Sequence, residues 1–177
     1  MKIALIPVGE IKKEILSHLA DKLAKTFSAR IEITEPLQFP DYAYYPPRGQ
    51  YYTVPIVEWG KKQRKGKADW HLLICDVDLF VPQLNFVFGE AEPGTGWAIT
   101  SLTRLKEEFY GRAEKKELLI KRTEKEAVHE LGHLRGLAHC SDVHCVMHFS
   151  NSLADTDIKS ADFCENCRKI LKKGGVK

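Results

Sequence analysis

The sequence predicts an α/β fold in a single domain that covers residues 1–177. Three observations lead to this prediction. A strand-like, a helix-like and a second strand-like segment follow one another at the start of the chain. The length of 177 residues suits one compact domain with a substantial core and is short for two. The composition, 44% hydrophobic and 29% charged, is typical of a globular protein.

The first third of the chain supplies the β-α-β beginning. Residues 2–8 form an apolar run that predicts a buried strand, and residues 10–27 carry apolar side chains at helical spacing. Residues 30–33 alternate and are β-branched, which indicates a second strand. Residues 36–52 are rich in proline and tyrosine, so we expect an ordered surface loop there.

The remaining elements are predicted in the same way. We expect a helix over residues 53–62, a central strand over 70–81 and shorter strands over 85–90 and 97–102. A long helix is predicted over residues 115–134. After it the chain is short of regular structure until a helical segment at residues 163–171.

Charge and hydropathy restrict the classes of partner. The formal net charge of +3 is mild and no nucleic-acid motif accompanies it, which argues against a nucleic-acid-binding protein. No segment has the apolar length that spans a bilayer. Pro7 and Glu10 interrupt the N-terminal apolar run, which favours a strand over a signal peptide. We therefore expect a cytoplasmic protein, and nothing in the sequence requires more than a monomer.

The most informative stretch is HELGHLRGLAH, residues 129–139. His129 and His133 are four residues apart, so a helix places both imidazoles on one face. This geometry suits two of the three nitrogen ligands of a catalytic zinc, whose fourth position stays open for water. Glu130 lies beside them and can reach that water as a general base without binding the metal.

Gly136 and His139 extend the pattern. A glycine with positive φ allows the chain to turn back after the helix, so that His139 can approach the same metal from another side. Three histidines without a metal are the alternative, and the added spacing argues against it. Met147 follows shortly downstream, where a tight turn could bring it beneath the metal, or where it could simply fill core space.

Four of the five cysteines lie in the last third of the chain: Cys140, Cys145, Cys164 and Cys167. The second pair has the C-x-x-C spacing of a zinc knuckle, and the first pair is looser. Residues 140–163 contain few large apolar groups, so a metal could stabilise what packing does not. Two disulfides or a redox pair are the alternatives, which a reducing compartment disfavours. Cys75 stands alone in a predicted strand, and we expect it to be an inert core residue.

The run HELGHLRGLAHCSDVHCVMHFSNSL, closed by CENC, resembles the archaemetzincins, a family of metzincin zinc peptidases. The resemblance extends from residue 70 or earlier to about residue 170. It implies two zinc ions: a catalytic one bound by His129, His133 and His139, and a structural one bound by Cys140, Cys145, Cys164 and Cys167. It also implies that Glu130 is the general base and that Met147 is the residue of the metzincin Met-turn.

The same resemblance refines the expected fold to a mixed, mainly parallel, twisted sheet with flanking helices. An upper subdomain would span about residues 1–136, and a small zinc-stabilised lower one about residues 137–177. An edge strand formed by Phe86, Val87, Phe88 and Gly89 would hold an extended peptide or protein substrate through main-chain hydrogen bonds. The alternative for these four residues is an ordinary aromatic core strand.

The function expected from these features is zinc-dependent hydrolysis of peptide bonds. A zinc-stabilised interaction protein with little or no proteolytic activity is the main alternative, and a zinc hydrolase acting on other amides is a third. Glu130 favours an enzyme, because a scaffold has no evident need of a general base beside its metal. The sequence leaves the substrate and the cleavage site open.

Overall fold

The structure, a computed structural model, describes residues 1–64, 66 and 68–173. Lys65, Lys67 and residues 174–177, the last four of the predicted lower subdomain, lie outside the described residues. In chain order the elements are β1 (Lys2–Val8), α1 (Lys13–Phe27), β2 (Arg30–Ile33), β3 (Tyr44–Tyr45), β4 (Gln50–Tyr52), α2 (Thr53–Gln63), β5 (Trp70–Cys75), β6 (Leu79–Phe80), β7 (Gly89–Glu92), β8 (Trp97–Ser101), α3 (Lys116–Leu134), α4 (Leu153–Ile158) and α5 (Glu165–Lys172).

The main sheet has five strands in the order β2-β1-β5-β8-β7. Three of its pairings are parallel, and only β7 runs antiparallel to its neighbour β8. The prediction of a mixed, mainly parallel sheet is therefore confirmed. β7 lies at the edge, because it pairs with β8 alone in this sheet.

Helices cover both faces of the main sheet. On β1, Ile3 and Leu5 face the side that holds α1 and α3, whereas Ala4 and Ile6 face the side that holds α2. Strands buried on both faces need apolar residues at every position, which explains their unbroken apolar runs. Among the described residues, no helix is both long and apolar enough to cross a membrane.

The prediction of one strand over residues 70–81 was wrong. β5 ends at Cys75, and β6 belongs to a second, three-stranded sheet of order β3-β4-β6. The break contains two aspartates whose side chains accept hydrogen bonds there: Asp76 from Thr103 at 3.0 Å, and Asp78 from Arg104 at 2.6 and 2.7 Å. The chain therefore leaves the main sheet where these carboxylates are paired.

Two neighbouring predictions also need correction, because their residues take part in the second sheet. The loop expected over residues 36–52 contains β3 and β4, which form the second sheet with β6. The strand expected over residues 85–90 is displaced to β7, residues Gly89–Glu92. Before it, Val87 pairs with Leu79 of the second sheet, so the segment passes from one sheet to the other. Apolar alternation alone does not reveal which sheet a strand joins.

The helix boundaries agree more closely. α3 starts one residue after its predicted start and ends at the predicted residue. α1 begins three residues late, because its N-cap is Lys12, whose backbone is not helical, with a φ of −56° and a ψ of +125°. The segment after Gly136 was expected to lack helix until residue 163, yet α4 lies within it. A capping box between Ser152 and Asp155, visible in the sequence, starts that helix.

Candidate metal centres

The first group of candidate ligands lies in the last turns of α3. His129 Nδ1 is 2.8 Å from the carbonyl oxygen of Val146, and His133 Nδ1 is 2.8 Å from that of Leu137. A carbonyl oxygen only accepts, so each Nδ1 carries the proton and each Nε2 presents a lone pair. This is the tautomer in which histidine binds a metal through Nε2.

The two lone pairs share one space. The Nε2 atoms of His129 and His133 are 3.1 Å apart, although neither carries a proton to give the other. Two nitrogens on a tetrahedral zinc, with bonds of about 2.0–2.1 Å, would lie about 3.3 Å apart. His139 completes the group, since the ligand atoms of all three lie within 4.8 Å of one another. The donor set and its spacing therefore fit zinc.

Gly136 brings His139 to the other two rings. Its φ of +90° lies in the left-handed region, as its place after the helix predicted. The chain then folds back, with Leu137 N donating to Gly132 O at 3.0 Å. His139 is exposed, and its ring packs edge-on against Phe149 with centroids 4.9 Å apart.

Electrostatics keeps these imidazoles neutral. Burial lowers the pKa of His129 well below its ordinary value, and the ammonium of Lys159 lowers it further. Burial also lowers the pKa of His133 and of His139, with a smaller contribution from Lys159 in each case. Since only neutral imidazole binds a metal, these shifts favour metal binding at neutral pH.

Glu130 lies next to His129 and is buried. Gly89 of β7 packs against it, since a Cβ at Gly89 would lie 2.8 Å from both Cγ and Oε1 of Glu130. Burial raises the pKa of this carboxyl well above its ordinary value; the carboxylate of Glu126 adds to the shift and Lys159 opposes it. A carboxylate with a raised pKa is the stronger base toward a water molecule.

Met147 is fully buried against α3. Its Sδ and Cε fill the space beside Gly132, where a Cβ would overlap Sδ and lie 3.2 Å from Cε. Its carbonyl oxygen accepts a hydrogen bond of 2.9 Å from the backbone N–H of Cys140, the residue after His139. Met147 therefore contacts α3 through its side chain. Through its backbone it contacts Cys140, the residue after the third candidate ligand His139.

The second group consists of four cysteine sulfurs that converge: those of Cys140, Cys145, Cys164 and Cys167. The sulfurs of Cys140 and Cys164 are 3.8 Å apart, and those of Cys145 and Cys167 are 3.7 Å apart. About 3.8 Å is expected between two thiolates on a tetrahedral zinc with bonds of about 2.3 Å. A disulfide would require about 2.05 Å, and all five cysteines are free thiols.

The backbone supports this group as well. The N–H of Cys164 donates to the sulfur of Cys145 at 3.3 Å. A hydrogen bond from the N–H of Cys167 lowers the pKa of the Cys164 thiol, whereas burial raises the pKa of Cys145. N–H groups aimed at sulfur favour the thiolate form that binds a metal. The four sulfurs thus fit the structural zinc site that their spacing predicted.

The predicted substrate-binding segment borders the histidine group, but its strand is placed differently. Of Phe86, Val87, Phe88 and Gly89, only Gly89 belongs to the edge strand β7. Phe88 is buried, and its carbonyl accepts from Ser101 N at 2.8 Å. All four line a small cavity of about 40 Å³ together with other residues, among them His129, Glu130, Phe149 and Ser150. The segment therefore forms one wall of the candidate site.

Sequence reasoning missed several residues that shape the site. Glu126 lies one helical turn before Glu130 on α3, and its spacing could have indicated it. Gly132 and Gly89 were recognisable as glycines but not as points of close approach. Lys159 is fully buried beside Glu126, and no pattern in the sequence marks it.

With this geometry established, comparison with known proteins identifies the family. The sequence profile described as "Peptidase family M54" matches residues 68–173. The archaemetzincin of Methanocaldococcus jannaschii is 42% identical over 176 residues, which cover 99% of this chain and 96% of that protein. The chain belongs to peptidase family M54, the archaemetzincins. This chain is therefore a zinc metallopeptidase, a hydrolase whose substrates are peptides or proteins.

Other archaemetzincins agree in sequence and in structure. That of Pyrococcus furiosus is 40% identical, with 97% of this chain and 92% of that protein covered. The crystal structure of archaemetzincin from Methanopyrus kandleri superposes with a TM-score of 0.86 at 34% identity, over 98% of this chain and 94% of that one. The structure from Archaeoglobus fulgidus, a complex with malonate, gives 0.81 at 35% identity over 96% and 99%. The archaemetzincin fold predicted from the sequence is thus confirmed.

Proposed function

We propose that this archaemetzincin hydrolyses peptide bonds at a zinc held by His129, His133 and His139, with Glu130 as the general base. The observation that carries the proposal is the pair of Nε2 lone pairs 3.1 Å apart, each left free by an Nδ1–H that donates to a carbonyl. A cation between them would remove their repulsion, and Glu130 is buried alongside.

The residues divide the chemistry between them. Zinc in a site of three neutral nitrogens supplies Lewis-acid polarisation of a carbonyl and lowers the pKa of a water bound to it. Glu130 accepts a proton from the attacking water and returns one to the leaving amine. Its burial raises its pKa, so the carboxylate holds that proton more firmly than an exposed one would. Gly89 restricts the position of the carboxylate from the side of β7.

Substrate binding is proposed at the edge of the main sheet. β7 pairs with β8 on one side, and its other side is the edge of the main sheet; Gly89, its first residue, packs against Glu130. An extended peptide can add to such an edge through main-chain hydrogen bonds. Phe86, Val87 and Phe88 would then form the wall next to the scissile bond, since they line the cavity that contains Glu130.

A second zinc is proposed at Cys140, Cys145, Cys164 and Cys167, with a structural role. The set contains four thiols, so a tetrahedral ion bound by all of them has no open position for water. Met147 is proposed as the Met-turn residue, supported by its contact with Gly132 and by the N–H of Cys140 on its carbonyl. The division into parts 1–136 and 137–177 follows the same proposal, with the second zinc in the lower part.

The test combines zinc analysis with cleavage of a peptide library. Glu130→Gln should keep two zinc ions per chain and lose at least about 10²-fold in kcat, since general acid–base catalysis contributes about 10²–10⁴-fold. Glu117→Gln, at an exposed position in the first turn of the same helix, is the matched control and should retain full activity.

Each alternative gives a different result. Unchanged turnover by zinc-loaded Glu130→Gln would refute the role of Glu130. Two bound zinc ions without cleavage of any peptide would favour the interaction protein, and cleavage restricted to non-peptide amides would favour another hydrolase. Monomeric state and cytoplasmic location stay predictions, to be checked by sedimentation of the purified chain and by fractionation of its cells.

A further inference from the structure

Lys159 is a charged side chain with no exposed surface, its relative exposure being 0%. Its Nζ lies 3.0 Å from Glu126 Oε1 and 3.4 Å from the carbonyl oxygen of His148. The same Oε1 accepts a hydrogen bond of 2.9 Å from Thr156 Oγ1. Removing an ammonium from water is costly unless it is paired and hydrogen-bonded, and a buried pair is weak evidence for stability by itself. Its position therefore calls for another explanation.

That position connects two parts of the histidine site. Glu126 is on α3, one turn before Glu130 and in the helix that carries His129. His148 follows Met147 directly in the chain, so the hydrogen bond from Lys159 reaches the turn at residues 145–148. Lys159 thus bridges the active-site helix and that turn.

The turn at residues 145–148 uses three consecutive carbonyl groups. Val146 O accepts from His129 Nδ1 at 2.8 Å, and Met147 O accepts from Cys140 N at 2.9 Å, next to the third ligand. His148 O is the third, and it accepts from Lys159. A displacement of this turn would therefore reorient one ligand directly and a second through its neighbour.

We propose that Lys159 is a positioning residue for the histidine zinc site, because its contacts with Glu126 and with His148 O hold the turn at residues 145–148 against α3. The inference rests on the proposed function for the three histidines as zinc ligands. Outer contacts that orient metal-binding histidines typically change metal affinity or activity about 10–100-fold when they are removed. We expect an effect of this size although Lys159 binds no metal.

The test compares Lys159→Met with Lys125→Met. Methionine keeps the length of the side chain and removes its charge and donors. Lys125 also bonds to α4, through the carbonyls of Thr156 and Asp157, but among the described residues its ammonium pairs with neither the Glu126 carboxylate nor the His148 carbonyl. Co²⁺ is added to protein whose histidine-site zinc has been removed, and its d–d absorption and dissociation constant are measured.

Lys159→Met should weaken Co²⁺ binding about 10-fold or more, alter the d–d spectrum and lower kcat more than it changes KM. Lys125→Met should alter none of these. Spectrum, affinity and kcat of Lys159→Met equal to those of the unmodified chain would overturn the proposal. If the unmodified chain binds no Co²⁺ at the histidines, the proposed function fails and not the positioning role alone.

A second variant covers misfolding of the first. Glu126→Leu with Lys159→Met removes both charges, so no uncompensated ion stays buried, and replacing a buried pair in this way is often neutral for stability. The double variant should fold and still bind Co²⁺ more weakly than the unmodified chain, because the contact to His148 O is absent. Full affinity in a folded double variant would likewise overturn the proposal.

Discussion

The two candidate metal centres are built in opposite ways. The histidine centre takes two of its three candidate ligands from α3, a helix of 19 residues packed against the main sheet, and backbone carbonyls orient both rings. The cysteine centre takes its ligands from a loop after α3 and from the start of α5, a helix of only 8 residues. Two of the histidines are therefore held by one long helix, whereas the cysteines come from short segments of which only Cys145 and Cys167 are buried in the core.

The difference indicates what each metal does for the chain. Among the described residues after 136 there is no strand, and α4 and α5 have 6 and 8 residues, whereas isolated helices shorter than about 12–15 residues are marginal in water. Zinc that binds such a segment contributes its binding free energy to folding. We therefore expect the fold of the segment after residue 136 to depend on the cysteine zinc. The conformation should be nearly the same with and without the histidine zinc.

The largest expected effect comes from removing one ligand at each centre. His133→Ala should reduce two zinc ions to one, whereas Cys145→Ala should lose the cysteine zinc and also weaken the histidine zinc, because residue 145 belongs to the turn whose carbonyls orient His129 and support Cys140. Cys145→Ala should also lose a large part of the roughly 5–15 kcal/mol by which domains of this kind are stable. Amide hydrogen exchange is the measurement: residues 140–173 should lose protection in Cys145→Ala and keep it in His133→Ala. Equal protection in both variants would contradict the comparison.

A smaller change tests how rigidly α3 presents its ligands. Gly132→Ala introduces a Cβ that would overlap Met147 Sδ and lie 3.1 Å from Phe163 Cε1. Overpacking of this kind costs about 1–3 kcal/mol, and Met147 must move to relieve it. Urea unfolding should show this loss, and zinc affinity should fall more at the histidine centre than at the cysteine centre. A loss of zinc from the cysteine centre alone would show that Met147 supports that centre and not the histidine centre.

The pH dependence of the protein without its histidine zinc sharpens the contrast further. Burial lowers the pKa of His129, His133 and His139 in the folded state, whereas the unfolded chain protonates them near pH 6.5. The unfolded state then binds more protons below about pH 6.5. The stability from these groups is therefore complete above that pH and is lost as pH falls toward the lowered values.

Glu130 acts with the opposite sign. Burial raises the pKa of its carboxyl above the ordinary value, so its contribution favours the folded state at low pH and is lost as pH rises through the raised pKa. Glu130→Gln removes this opposing contribution. In urea unfolding of protein that keeps the cysteine zinc, the gain in stability from pH 5.5 to pH 7.5 should therefore be larger in the variant. A smaller gain in stability in Glu130→Gln than in the unmodified chain would refute the raised pKa of Glu130.

The same contrast explains what the sequence could reveal. The candidate ligands of both centres form motifs that are short in sequence. Their spacing and residue types therefore predicted His129, His133 and the four cysteines, which the structure brings together. The helix α3 and the central strands were predictable because their apolar periodicity matches their burial. Family membership then followed from the same motifs.

Features that depend on long-range pairing were missed. The exchange of residues 76–90 between two sheets depends on which strand lies beside Leu79, and local alternation does not contain that information. Lys159 lies far along the chain from its partner Glu126, and a lysine between isoleucine and serine is typical of a surface residue. Both features are determined by tertiary packing and not by the local sequence.

The smallest expected effect concerns the fifth cysteine, which separates sulfur in a core from sulfur in a metal centre. Cys75 ends β5, is fully buried and donates weakly to Thr100 O at 3.7 Å. Cys75→Ala removes one core atom, so it should cost about 1 kcal/mol and leave two zinc ions per chain.

Burial raises the pKa of the Cys75 thiol to about 12. Because alkylation requires the thiolate, iodoacetamide should label Cys75 last, after zinc has been released and the four ligand cysteines have reacted. Labelling of Cys75 before any zinc is released would show that β5 opens more readily than the cysteine centre, which would reverse the order of rigidity inferred for the two regions.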